Sequence, residues 1–148
     1  MQSFDILTIL CIGLMIGAEF SVSAFVNPIV WELEETTQAK ILSLFAALLG
    51  KVMTVWYSLS LVLLLIEAYL RRHEPGLPSL LIAAGIWIAV IVCTLAFLVP
   101  INNRIAALDP VAPPADWRRQ HKRWDTLHRW RIFFLTAAMV FLLKGILL

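Results

Sequence analysis

Five polar residues in two short stretches, Asn102, Asn103 and Arg104 in PINNR and Asp125 and His128 in WDTLHRWR, stand in a chain that otherwise reads as lipid-soluble. A charge held at bilayer depth costs kilocalories, so an ionisable residue there is by default a functional candidate. His128 titrates near neutral pH, and Asp125, one turn earlier, shares its helix face. That pair suits general acid–base work, with the carboxylate orienting the imidazole or making it more basic. Arg131, Arg104 and Lys51 could stabilise an anion formed from a bound substrate, and the amides of Asn102 and Asn103 could add hydrogen bonds. Glu19, an acidic residue inside the first apolar stretch, completes the set. The same groups could instead form a salt-bridge lattice between the third and fourth helices.

Other chemistries have little to stand on. The chain has no CxxC, HExxH or GxSxG motif and no phosphate-cradling glycine loop. A metal site would have to draw on His121, His128, Asp125 and Glu19, and the two histidines lie two turns apart, loose for one ion. Haem normally wants an axial histidine, and no second one lies inside the spans. No metal or organic cofactor is therefore expected, with a metal or haem kept as the less favoured option. Nucleic acid is not an expected partner, whereas a lipid bilayer and a hydrophobic small molecule are. The oligomeric state is left open.

The elements that must hold these residues follow from hydropathy. The 148 residues are 61% hydrophobic and 15% charged, and four apolar stretches fall at about 6–30, 41–70, 77–101 and 130–148. Each is near or above the ~20 residues a helix needs to cross ~30 Å of hydrocarbon. Spanning strands would be shorter and would alternate polar with apolar residues. The expectation is an all-α, integral membrane four-helix bundle, a single transmembrane domain over 1–148, with helix four extended into the cytoplasm. The first stretch is too long for a signal-peptide core. Cys11 and Cys93 should differ in depth by ~13 Å, too far for a disulfide.

Counting along the helices places Lys51, Asn102, Asn103 and His128 in one layer near a membrane boundary, with Glu19 ~9 Å deeper as a floor. Glu19 should face the bundle interior, with Lys51 or Arg131 as its polar partner. Gly13 and Gly17 form a small-xxx-small pair able to admit another backbone. Thr36 and Thr37 could cap helix two near Gln38, and Asp116 could cap helix four. On that last helix Trp117, His121, Trp124, Asp125, His128 and Arg131 fall on one stripe. The formal charge is only +2, but Lys40, Arg104 and the basic run from Arg118 to Arg131 outnumber Arg71, Arg72 and Lys144. The positive-inside rule then puts loops one and three in the cytoplasm and both termini outside, in a bacterial inner membrane.

The PxNxR pattern closing span three, the WDxxHxxR pattern entering span four, and the segment from Gly13 to Pro28 resemble the anthrone oxygenase-like family of small four-helix membrane proteins. The likeness covers nearly the whole chain in span layout. It implies Asn102, Trp124, His128 and Arg131 as site residues, while Glu19 and Lys51 rest on depth alone. It also implies oxidation of an apolar phenolic, anthrone-like compound by O₂ without an established organic cofactor. A different class of reading is a non-catalytic membrane protein that binds a lipid or hydrophobic ligand, or a subunit of a larger complex. A proton or small-ion relay through Glu19 and Lys51 is a third.

Overall fold

The computed structural model describes residues 2–148. Four helices, α1 (Gln2–Trp31), α2 (Glu35–Leu70), α3 (Leu77–Ala106) and α4 (Trp117–Leu147), are each long and apolar enough to cross a membrane. No strand occurs among the described residues. With so little of the chain outside the helices, backbone polar groups are satisfied within each helix, as hydrocarbon requires. The helices close a ring in which α1 touches α2 and α4, and α3 touches α2 and α4. Ile12, Met15, Leu64, Leu80, Trp87 and Leu135 fill its centre with almost no exposure. Large apolar side chains such as Leu14, Val55, Leu95 and Val140 face outward, as suits an integral membrane protein whose solvent is lipid.

Two prolines shape the path. Pro28 and Pro100 are each the second residue of a helical stretch, Asn27–Trp31 and Val99–Ala106, preceded by a π-helical segment, Val22–Val26 or Thr94–Leu98. Proline has no N–H to donate, and its ring crowds the carbonyl four residues back. One wider turn accommodates both problems without ending the helix. As a result α3 runs through Pro100 to Ala106, past the expected limit at 101, and Asn102, Asn103 and Arg104 are helical.

Local details also depart from expectation. Helix α2 begins at Glu35, so Thr36 and Thr37 lie inside it and do not cap it. Gln38 serves the neighbouring end instead, its Nε2 donating to the carbonyls of Trp31 (3.0 Å) and Leu33 (2.6 Å) where α1 finishes. Helix α4 starts directly after Asp116, but that carboxylate accepts from Gln120 (2.6 Å) rather than from a backbone N–H. A Cβ on Gly17 would meet nothing within 4 Å, and one on Gly13 only Met139 Cε at 3.9 Å, so no backbone packs on that pair. The close approach is elsewhere: a Cβ on Gly76 would lie 2.1 Å from the Gly145 carbonyl oxygen, where the start of α3 crosses the end of α4. Both cysteines are free thiols.

At the terminal end of the bundle, buried Arg71 pairs with Asp5 (3.0 Å) and Glu67 (2.5 Å), fastening α1 to the last turn of α2. The opposite end holds the candidate site.

Candidate functional site

Helix α1 brings Glu19 into the interior, where it is 4% exposed. An ionised carboxylate there is tolerable only if its lone pairs are taken by donors. Three side chains from two other helices do so. His128 Nε2 and Arg131 Nη2, one turn apart on α4, both meet Oε2, the arginine at 2.5 Å. The Tyr57 hydroxyl of α2 donates to Oε1 at 3.1 Å. Arg131 also lies over the Tyr57 ring, 5.4 Å from its centroid, which adds a cation–π contact. His128 is fully buried, and with Nε2 spent on Glu19 its Nδ1 has no hydrogen-bond partner among the described residues.

The histidine ring is set by stacking as well. Trp124 lies between His121 and His128, with centroid separations of 5.6 and 4.5 Å. His121 in turn meets Trp31 (5.5 Å), which stacks on Trp117 (6.4 Å). The α4 stripe seen in the sequence is thus an aromatic column running from the helix start to the buried carboxylate. Such pairs contribute ~0.5–1.5 kcal/mol each beyond area burial, enough to fix ring orientations.

Glu19, Tyr57, His128 and Arg131 form one wall of a cavity of about 290 Å³. This volume sits at the lower edge of the ~300–1,000 Å³ common for small-molecule sites. Its other walls are mainly apolar, including Leu49 and Met53 from α2 and Ile91 and Leu98 from α3, with Trp124 at one end. One charged, hydrogen-bonded corner in an apolar chamber suits a flat hydrophobic molecule bearing one acidic or polar position. Among the described residues, no three His, Cys, Asp or Glu side chains converge as ligands for a metal ion.

The structure gathers some of the sequence candidates and disperses others. Glu19, Trp124, His128, Arg131 and Asn102 all line the cavity. The Glu19 carboxylate is in direct contact with the His128 imidazole. Asn102 donates to the Ala46 carbonyl (3.0 Å) and so ties α3 to α2. Asp125 is not hydrogen-bonded to His128: it accepts from Asn27 (2.7 Å) and Arg129 (3.0 Å), and Glu19 holds the imidazole in its place. Lys51 follows the cavity-lining Gly50 but is itself exposed, so Glu19 takes Arg131 as its partner. Asn103 and Arg104 are exposed on the outer face of α3 and do not line the cavity. Tyr57 was not singled out from the sequence, although it is one of only two tyrosines and falls well inside a span.

Fold and site together define a small four-helix integral membrane protein with a buried carboxylate–histidine–arginine cluster beside an apolar cavity. The family model for anthrone oxygenase matches residues 44–141, and the chain belongs to that family. Comparison with curated proteins and with solved structures gives no match. The matched stretch contains Tyr57, Asn102, Trp124, His128 and Arg131, whereas Glu19 lies before it.

Proposed function

We propose that this protein is a membrane oxygenase that oxidises an apolar phenolic compound of the anthrone type with O₂. The observation that carries the reading is His128, held at Nε2 by the buried Glu19 carboxylate, with Nδ1 unpartnered, on the wall of an apolar cavity. Family membership supports it.

The chemistry asks little of the protein beyond a base and a positive neighbour. His128 Nδ1 takes a proton from the substrate, and Glu19 stabilises the imidazolium that results, as a carboxylate does in a catalytic triad. Arg131 offsets the charge of the cluster, and in a site shielded from water such preorganised charges act strongly. The electron-rich substrate anion passes one electron to O₂, and the two radicals combine to a peroxide anion at the ring carbon. The imidazolium returns its proton to give the hydroperoxide and a neutral His128. His128 removes the remaining hydrogen on that carbon, the O–O bond breaks, and the carbonyl forms as water leaves. One CH₂ and one O₂ thus become one C=O and one H₂O. The residues need no metal or organic cofactor for these steps.

We place the protein in a bacterial inner membrane, and the excess of basic residues at the α1–α2 and α3–α4 end supports a topology with that end cytoplasmic and both termini outside. The reaction is tested with purified protein in lipid nanodiscs, anthrone and ¹⁸O₂. One labelled oxygen should enter anthraquinone and one should leave as water, at a rate well above the protein-free control. A rate equal to that control removes the proposal.

A further inference from the structure

We infer that the cavity is loaded sideways from the bilayer hydrocarbon, through an opening between α2 and α3 rimmed by Thr54, Ser58 and Leu95. The inference rests on the apolar aromatic substrate proposed above, and adds the route by which it arrives. Helices α2 and α3 are tied together on either side of the opening. On one side Trp87 Nε1 donates to the Tyr57 carbonyl (3.2 Å), and on the other Asn102 donates to the Ala46 carbonyl (3.0 Å). Between these ties lies the π-helical segment Thr94–Leu98, which packs against α4, whereas the stretches before and after it, Leu77–Cys93 and Val99–Ala106, pack against both α4 and α2. Pro100, which requires the wider turn, therefore also parts the two helices at this level.

Three side chains at the gap belong to both the cavity and the outer surface. Thr54, Ser58 and Leu95 line the chamber and are exposed, Leu95 by 61%. The hydroxyls of Thr54 and Ser58 donate to the carbonyls of Gly50 (2.7 Å) and Thr54 (2.9 Å) in their own helix, so neither needs water. Both ties fall inside helices of membrane-spanning length and apolarity, so the gap meets acyl chains rather than solvent. Toward the start of α4 the cavity is bounded by Trp124, which separates it from a smaller pocket beside Asn27 and His121. A flat molecule dissolved in the bilayer can enter edge-on and reach the Glu19–His128 corner without crossing water.

The test uses anthracene, a three-ring hydrocarbon that cannot be oxidised by the proposed route, in phosphatidylcholine nanodiscs. Its arrival is read by energy transfer from the protein's tryptophans after rapid mixing. Ser58→Phe fills the gap from a lipid-facing position and should slow association by ~10-fold or more. Leu95→Ala opens the rim and should speed association, while Leu14→Phe, on the lipid face of α1, should leave it at the wild-type rate. Association equal to wild type in both rim variants, or no anthracene binding by the wild type, overturns the inference. Anthrone oxidation by the wild type is read separately. Altered loading without oxidation leaves the opening standing and removes the reaction, whereas oxidation with unaltered loading removes the opening.

Discussion

His128 and Glu19, 109 residues apart in sequence, are hydrogen-bonded in the interior of the bundle. The bond fixes the imidazole tautomer, because a carboxylate oxygen can only accept and Nε2 must then carry the proton. Nδ1 is left with the lone pair. The Trp124 ring beside it limits the ways the imidazole can turn.

Asp125 is expected to matter far less than its place beside His128 in sequence suggests. Its partners are Asn27 and Arg129, so Asp125→Asn loses charge-assisted bonds worth ~1.5–3 kcal/mol at most. The melting temperature should fall by a few degrees while turnover per folded molecule stays within a few-fold of wild type. Loss of turnover without loss of stability would instead place Asp125 in the chemistry.

Glu19→Gln should be severe on both counts. Arg131, 10% exposed in its side chain, would keep its charge with no carboxylate beside it, and breaking a buried pair in this way costs ~3–5 kcal/mol. Thermal unfolding in nanodiscs should show a clear drop, and turnover should fall with loss of the imidazole's partner. Full stability in Glu19→Gln would mean that the carboxylate is already protonated in the wild type.

Tyr57→Phe separates the hydroxyl from the ring. The ring beneath Arg131 remains, so stability should drop by only ~1 kcal/mol, the net worth of one hydrogen bond. With His128 and Arg131 still holding Glu19, turnover per folded molecule should stay within a few-fold of wild type. A loss of turnover as large as that of His128→Ala, at unchanged melting temperature, would instead place the phenol in the chemistry.

The helices were legible because each needs only a long apolar run, which composition shows directly. The site was legible in part, and the reason is geometric. Counting residues gives depth, and the level shared by Gly50 and Asn102 is real: a Cβ on Gly50 would come within 2.9 Å of Asn102 Nδ2. Depth does not give azimuth, so Lys51, one residue and 100° further on, points outward while Gly50 faces the cavity. Asp125 fails for the same reason. It lies one turn from His128, yet the packing of α1 puts Asn27 against it and Glu19 against the histidine. The π-helical segments were hinted at only by Pro28 and Pro100, since no hydropathy pattern marks a wider turn.

The glycines offer a test of the packing itself. Gly76→Ala would press a methyl against the Gly145 backbone, which cannot move as a side-chain tip can, and should lower the melting temperature strongly. Gly17→Ala has open space and a helical backbone, so it should be neutral or stabilising by up to ~1 kcal/mol. The reverse ranking would mean that α1, not the α3–α4 crossing, makes the close contact.

The decisive measurement is anthrone turnover per folded molecule in nanodiscs for wild type, His128→Ala and Asp125→Asn, with melting temperatures taken on the same samples. General-base catalysis contributes ~10²–10⁴ in rate, so His128→Ala should lose at least ~100-fold while Asp125→Asn stays close to wild type. If His128→Ala turns over anthrone as fast as the wild type, the Glu19–His128 pair is scaffolding and the base lies elsewhere.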